Sequence, residues 1–269
     1  MLDPGFPVRG DPSVPWISAR VLEPVGVLAH AFTSRRGGTS GGAWASLNLG
    51  LATGDDRETV ERNRSRLWEV LRLPRPPLIP RQVHGDRVVV VEEGNLAACL
   101  AEPPEADALV TTLRGVPLAV LVADCPAVIV CDRRTPALGV VHAGWRGTVR
   151  AAVWKALLTM FEVCGTRSED CVAAVGPSIA PDCYPVGDDV YEAFARGLPY
   201  GRDLLAPAGP GRWHLDLREG IRRQLLDGRL PAASVAVCSL CTHCEAEWFY
   251  SARRDRAGTG RQAAVAMLR

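Results

Sequence analysis

The chain has 269 residues, long enough to bury a sizeable core in one large domain or two small ones. Hydrophobic residues make up 47% and charged residues 23%, ordinary globular values, and a formal net charge of +1 excludes a global electrostatic pull toward nucleic acid or an anionic membrane. No apolar run approaches a membrane span, and the first residues lack a basic stretch followed by an apolar core, so a cytoplasmic protein is expected. Lys155 is the sole lysine among the 31 basic residues, so any single arginine is weak evidence of function. Nine cysteines, an odd number in a large chain with Cys131 and Cys171 inside apolar runs, point to reduced thiols and a metal rather than a disulfide framework.

Residues 1–25 read as a Pro/Gly-rich leader loop ahead of a strand over 25–33. The Gly-rich stretch from Ser34 to Gly42 is neither a Walker loop nor a GxGxxG fingerprint, and reads as a flexible connection. A helix over 55–71 opens on Asp55 with Glu58 three positions later, the spacing of a capping box, and prolines from Pro74 to Pro80 stop it. Strands are expected over 87–92 and 107–111, with His84 in the turn before the first. Taken alone, His84 reads as a turn residue.

The middle of the chain carries three apolar runs, 118–123, 127–131 and 137–141, each followed by a polar residue. They are too short for stable helices and rich in Val, Ile and Leu, so they read as buried strands. Cys125 then follows the first run and His142 the third, which places a thiolate and an imidazole on one rim of a sheet. Thr148 is expected to cap a helix over 149–163, fed by the turn Gly144-Trp-Arg-Gly147, so that the helix start favours an anion near Arg146. A strand over 171–175, helices over 188–196 and 217–226 with Asp216 at the start of the second, and a strand over 234–237 follow. There is no fixed-period repeat and no linker, so one domain over 1–269 is expected.

Zinc takes Cys and His ligands, and a catalytic site uses three while leaving a fourth position open. Cys125 and His142 with one further His supply such a set. A rival set is Cys238, Cys241 and Cys244 with His243 or His214, because C-x-x-C spacing can pinch one ion. Cys125 can equally be a nucleophile activated by His142, or a small core residue. Spacing does not separate these readings.

The blocks Ser46-Leu-Asn48-Leu-Gly50, Gly54-Asp-Asp56, Gln82-Val-His84-Gly85, Ala123-Asp124-Cys125-Pro126, His142-Ala-Gly-Trp-Arg146-Gly147, Gly176-Pro-Ser-Ile-Ala-Pro181 and Phe249-Tyr-Ser-Ala-Arg253-Arg-Asp255 with Thr259-Gly-Arg261 resemble, in order, those of the YfiH-type family. That family was formerly described as polyphenol oxidoreductase (laccase) and is now regarded as purine nucleoside phosphorylase with adenosine deaminase activity. Ala180 and Cys238 are modest departures from its pattern.

The resemblance implies an α+β fold, a single-domain four-layer α/β/β/α sandwich with mixed sheets, and a catalytic zinc held by His84, Cys125 and His142. It raises His84 from a turn residue to a ligand. The partners implied are purine nucleosides (adenosine, inosine, methylthioadenosine) and phosphate, with no nucleic acid and no membrane, acting on a monomer or weak dimer. Water activated by zinc attacks C6 of adenine in such a deaminase, with Asp124 a candidate proton shuttle. Phosphorolysis needs cations for phosphate, for which Arg35, Arg146, Arg253 and Arg254 are candidates, and Asn48 is a candidate partner of ribose or base. Alternatives are a copper-dependent phenol oxidase, disfavoured by the lack of His-x-His pairs, a Cys/His hydrolase, and a non-catalytic role in peptidoglycan editing.

Overall fold

Alternation along the apolar strands sets the layers. The computed structural model describes residues 3–256 and 258–269. In chain order it holds β1 (Val8–Arg9), β2 (Trp16–Ile17), β3 (Leu28–Thr33), α1 (Arg57–Val70), β4 (Val88–Val91), α2 (Glu93–Ala101), β5 (Ala108–Thr111), β6 (Leu118–Val122), β7 (Ala127–Asp132) and β8 (Ala137–His142). Then come α3 (Trp145–Val149), α4 (Ala152–Cys164), β9 (Cys171–Val175), β10 (Pro185–Gly187), α5 (Asp188–Gly197), β11 (Leu205–Gly209), β12 (Arg212–Leu215), α6 (Leu217–Asp227), β13 (Val235–Val237), α7 (Ala252–Asp255) and β14 (Gln262–Leu268).

One sheet has the order β1-β2-β3-β14-β6 with every pair antiparallel. The second, β13-β9-β7-β8-β5-β4, is mixed, with parallel pairs at both edges. Leu118, Val120 and Val122 of β6 and Ala264 and Ala266 of β14 turn toward Ile129 and Cys131 of β7 and Leu138 and Val140 of β8, forming the core between the sheets. The alternate residues Ala119, Ala263 and Val265 face Leu67 and Trp68 of α1. On the far side Val128 and Val130 face Val153, Leu157 and Met160 of α4 and Ile221 and Leu225 of α6. Period-two alternation thus serves two interfaces at once and yields the four α/β/β/α layers. Each fully buried Leu or Ile in them contributes roughly 1.5–3 kcal/mol. A third small sheet, β10-β12-β11, packs with α5 around Phe194.

Three expectations change. Of the leader 1–25, residues 1 and 2 lie outside the described residues; the rest is not a loop throughout, because β1 and β2 extend the first sheet and Phe6, Val14, Ile17 and Leu22 are buried. The cap of α1 is Asp56, whose side chain accepts the amide of Thr59 at 2.8 Å, while Asp55 turns away to accept from Ser40 and Asn48. The expected helix over 149–163 is broken into α3 and α4 at Ala151, which has φ +58°. Thr148 is no cap: its hydroxyl bonds the carbonyl of Gly144 at 3.1 Å, and the break leaves its own carbonyl to accept from Gln224 of α6 at 2.7 Å. The helix beginning beside Arg146 is therefore only five residues long.

Candidate functional site

The mixed sheet brings the chemistry to one rim. β7 and β8 are antiparallel with Ala127 opposite His142, and β5 is antiparallel to β8 with Ala108 opposite Val141. The residue two before β7, the last residue of β8 and the residue just before β5 therefore meet: Cys125, His142 and Asp107. Cys125 lies in the four-residue crossover from β6 in one sheet to β7 in the other, which is turned by Asp124 at φ +83°.

His84 arrives from the loop before β4. Gln82 holds that loop by pairing with the backbone of Leu121, donating to its carbonyl at 2.8 Å and accepting its amide at 2.7 Å. The Asp107 carboxylate does the rest. It accepts the amides of Val83 at 3.2 Å, His84 at 3.1 Å and Gly85 at 2.7 Å, and its Oδ1 lies 2.7 Å from Nδ1 of His142. His84 sits at φ +58° in this cradle, exposed to the cavity, with its ring edge-on to that of His142 at a centroid distance of 4.9 Å.

The ligand atoms of His84, Cys125 and His142 all lie within 4.8 Å of one another, so the three can hold a metal ion. Without a metal the polypeptide already favours the thiolate of Cys125. Burial pushes the Cys125 thiol up, but the charge of His142 and hydrogen bonds from His142 and His84 outweigh it and bring it down to about 6. Burial opposes a charge on His142, yet the Cys125 thiolate and the Asp107 carboxylate raise it to about 9. Asp107 itself, also penalised by burial, is held below its ordinary value by His142 and the Gly85 and Val83 amides. In the metal-free chain both shifts favour a thiolate–imidazolium pair, and a metal ion bound there would displace the Nε2 proton of His142.

These three residues open into a cavity of about 1150 Å³. Of the other expected site residues, Asp124 and Arg253 line it. Asp124 accepts from Thr242 Oγ1 at 2.6 Å, Ser251 Oγ at 3.0 Å and the Arg253 amide at 2.7 Å, so both its oxygens are engaged. Arg253 stacks on Tyr184 and donates to the Pro185 carbonyl at 2.5 Å. Asn48 is buried outside the lining; its Oδ1 accepts the amides of Gly50 and Arg261, each at 2.9 Å. Arg35 stacks on Tyr250 and bonds the carbonyls of Ala45 and Ala246, and Arg254 is spent on the carbonyls of Thr242, His243 and Phe249. Arg146 is exposed and stacked on Trp145, outside the lining.

Two contributors were missed in the sequence. Asp107 looked like no more than the start of a strand; the signal was a carboxylate directly before an apolar run. Arg261 lies in the cavity wall with its guanidinium close enough to Cys125 and Asp124 to feel both charges. The rival metal set is also rearranged: Cys238 is buried alone with its thiol pushed up to about 12 by burial, while Cys183 joins Cys241 and Cys244, and neither His243 nor His214 belongs to that group.

An α+β sandwich with a Cys/His cluster in the wall of a large cavity has the build of an enzyme that could use a metal ion. Residues 29–269 match the family described as multi-copper polyphenol oxidoreductase laccase. The chain is 37% identical to a purine nucleoside phosphorylase of Bacteroides thetaiotaomicron, over 87% of this chain and 89% of that one. It is 38% identical to adenosine deaminase RL5 from an unknown prokaryotic organism, over 86% of this chain and 91% of that one. The crystal structure of YlmD from Geobacillus stearothermophilus superposes with a TM-score of 0.88 at 36% identity, covering 97% of each chain. The chain belongs to the YfiH-type family.

Among the described residues, no helix is long and apolar enough to cross a membrane.

Proposed function

We propose that this chain is a zinc-dependent purine nucleoside phosphorylase that also deaminates adenosine, with His84, Cys125 and His142 as the metal ligands. The observation that carries the reading is the convergence of two imidazoles and one thiolate at a cavity whose wall holds arginines. The donor set fits zinc: one sulfur and two nitrogens close together, with the side facing the cavity left open for a fourth ligand. Zinc held there supplies a Lewis acid and brings the pKa of water toward neutrality.

The chain's own residues do the positioning. Asp107 occupies Nδ1 of His142 and leaves Nε2 as the ligand atom, the arrangement in which a carboxylate fixes the tautomer and orientation of a metal-binding His. Among the arginines that line the cavity, which include Arg64, Arg81 and Arg256, we assign phosphate to Arg261 and Arg253 in place of Arg146; Arg261 keeps donors free beyond the Nη1 that bonds the carbonyls of Thr259 and Gly260. In phosphorolysis a phosphate oxygen attacks C1′ of the ribose, the bond from C1′ to the purine nitrogen breaks, and the base leaves with a proton. In deamination water adds at C6 and ammonia leaves. Asp124, with both oxygens engaged, holds the α7 segment and thereby Arg253 rather than shuttling protons.

A multi-copper oxidase finds little support in the donors, because His30 accepts the Ala19 amide at 2.9 Å and His214 bonds the Pro181 carbonyl at 3.0 Å, both away from the cavity lining. A Cys/His hydrolase has one observation in its favour: Cys125, His142 and Asp107 line up as nucleophile, base and orienting acid. Such an enzyme does not need His84.

Zinc-loaded protein incubated with adenosine and phosphate is expected to give adenine, ribose 1-phosphate and inosine. Absence of all three products overturns the proposal, and hydrolytic activity surviving His84→Ala supports the hydrolase instead.

A further inference from the structure

Away from the cavity, three thiols from two distant stretches of chain meet. Cys183 lies in the turn after Pro181, and Cys241 and Cys244 lie in the loop between β13 and α7. Their sulfurs are all within 4.8 Å of one another, and Cys183 Sγ is 3.4 Å from Cys244 Sγ. A disulfide requires about 2.05 Å. Sulfurs around a tetrahedral zinc at about 2.3 Å stand roughly 3.8 Å apart, so the trio already has the spacing of ligands around one ion.

The backbone is shaped to match. Cys241 Sγ accepts the amide of Ala180 at 3.2 Å, and the backbone of its own turn at His243 and Cys244 adds to the forces that hold its thiol below its ordinary value. Amides aimed at Cys241 favour its thiolate, the form that binds metal, whereas burial and the two neighbouring thiols push Cys183 up to about 12, so a cation there would have to displace that proton. Arg218 is buried beside the trio, where its charge is felt at Cys183 and Cys241, and it donates to the carbonyls of Ser178, Ser239 and Leu240. Three thiolates around a divalent ion leave one negative charge, which this guanidinium offsets.

We propose that Cys183, Cys241 and Cys244 form a second metal site for a thiophilic divalent cation such as zinc, with its fourth position open to solvent beside the exposed Cys244. The ion clips two walls of the cavity together. Tyr184, next to Cys183, lines the cavity, and Thr242, next to Cys241, donates to Asp124. The site stands independently of the activity proposed above.

The test is metal content in reduced full-length protein after zinc loading and dialysis, together with cadmium titration read by the ultraviolet sulfur-to-cadmium charge-transfer band. His84→Ala, which removes a ligand of the catalytic set, is expected to retain one tightly held ion and the three-thiolate band. Adding Cys244→Ser, at an exposed position where folding is not at stake, is expected to remove both, and Cys183→Ser to do the same. Cys238→Ser should change neither. A His84→Ala protein that holds no ion overturns the proposal, as does a content unchanged by Cys244→Ser or a band that persists without Cys183.

Discussion

Asp107 Oδ1 stands 2.7 Å from Nδ1 of His142, and the same carboxylate accepts three consecutive amides from Val83 to Gly85. One buried side chain therefore aims one candidate ligand and cradles the loop that carries another. Asp107→Asn keeps the shape but replaces one acceptor oxygen with a donor facing those amides. The expected result is a loss of zinc affinity of about 10- to 100-fold, as for other carboxylates behind a metal-bound His. Breaking the buried pair should also cost about 3–5 kcal/mol of stability. Zinc competition with a chromophoric chelator and denaturant unfolding measure the two effects; unchanged affinity would refute the role assigned to Asp107.

His84 is exposed, and the partner of its imidazole is the Cys125 sulfur of the same cluster rather than the core. His84→Ala should therefore shift stability by no more than about 0.5 kcal/mol while abolishing phosphorolysis and deamination together. Product analysis by chromatography and a thermal melt decide it. Retention of either activity would separate that reaction from the proposed metal centre.

The pieces visible in the sequence were those that announce themselves locally. Three apolar runs ending at Cys125 and His142 do form β6, β7 and β8, and the thiol and imidazole do share a rim. What periodicity could not tell is that β6 belongs to the other sheet, since a run of four residues between strands serves a hairpin or a crossover equally well. The last strand, β14, sits between β3 and β6, yet its Ala-rich sequence carries no strong β signal and its position comes from packing. α2, with Gly94 in its first turn and a capping box built by Glu92 and Asn95, was hidden for a similar reason. His84 became a candidate ligand only through resemblance, because its placement depends on Asp107, 23 residues away, and no spacing rule connects them.

Gly144 offers a test of how tightly the centre is packed. Its backbone is extended and open to any residue, but a Cβ there would stand 3.1 Å from both Cys125 Sγ and His84 Cδ2. Gly144→Ala is expected to leave the fold intact and displace the two candidate ligands by a few tenths of an ångström. Sites that must be held within about 0.5 Å lose function under such a shift, and zinc affinity should fall about tenfold, on the order of 1.4 kcal/mol. Isothermal titration of the metal-free protein reads this directly, and wild-type affinity would show that the three side chains have more room than the contacts allow.

The phosphate role proposed for Arg261 and Arg253, which both line the cavity, can be tested by kinetics. Arg261→Ala should raise KM for phosphate by at least about tenfold, the loss of one charge-assisted contact, while leaving deamination, which uses no phosphate, near the wild-type rate. Asn48 holds the Arg261 amide, so Asn48→Ala should show a weaker version of the same pattern together with lower stability. Equal loss of both activities in Arg261→Ala would place that arginine on the nucleoside instead.

The metal-free protein should show its thiolate–imidazolium pair as a pH window. Cys125 falls from an ordinary 9.0 to about 6 on folding, so its stabilisation is complete above 9.0 and disappears as pH falls through 6. His142 rises from 6.5 to about 9, so its stabilisation is complete below 6.5 and disappears as pH rises through 9. Because each depends on the charge of the other, the two gains coincide between about pH 6 and 9 and fade on both sides. Thermal melts of chelator-treated protein should pass through a maximum inside that window, and Cys125→Ser should remove this component. Alkylation of Cys125 by iodoacetamide should accelerate with a midpoint near 6, and zinc should suppress it by occupying the sulfur. A midpoint near 9 with a flat melting profile would mean that Cys125 and His142 do not exchange a proton, and the electrostatic account of the pair would fail.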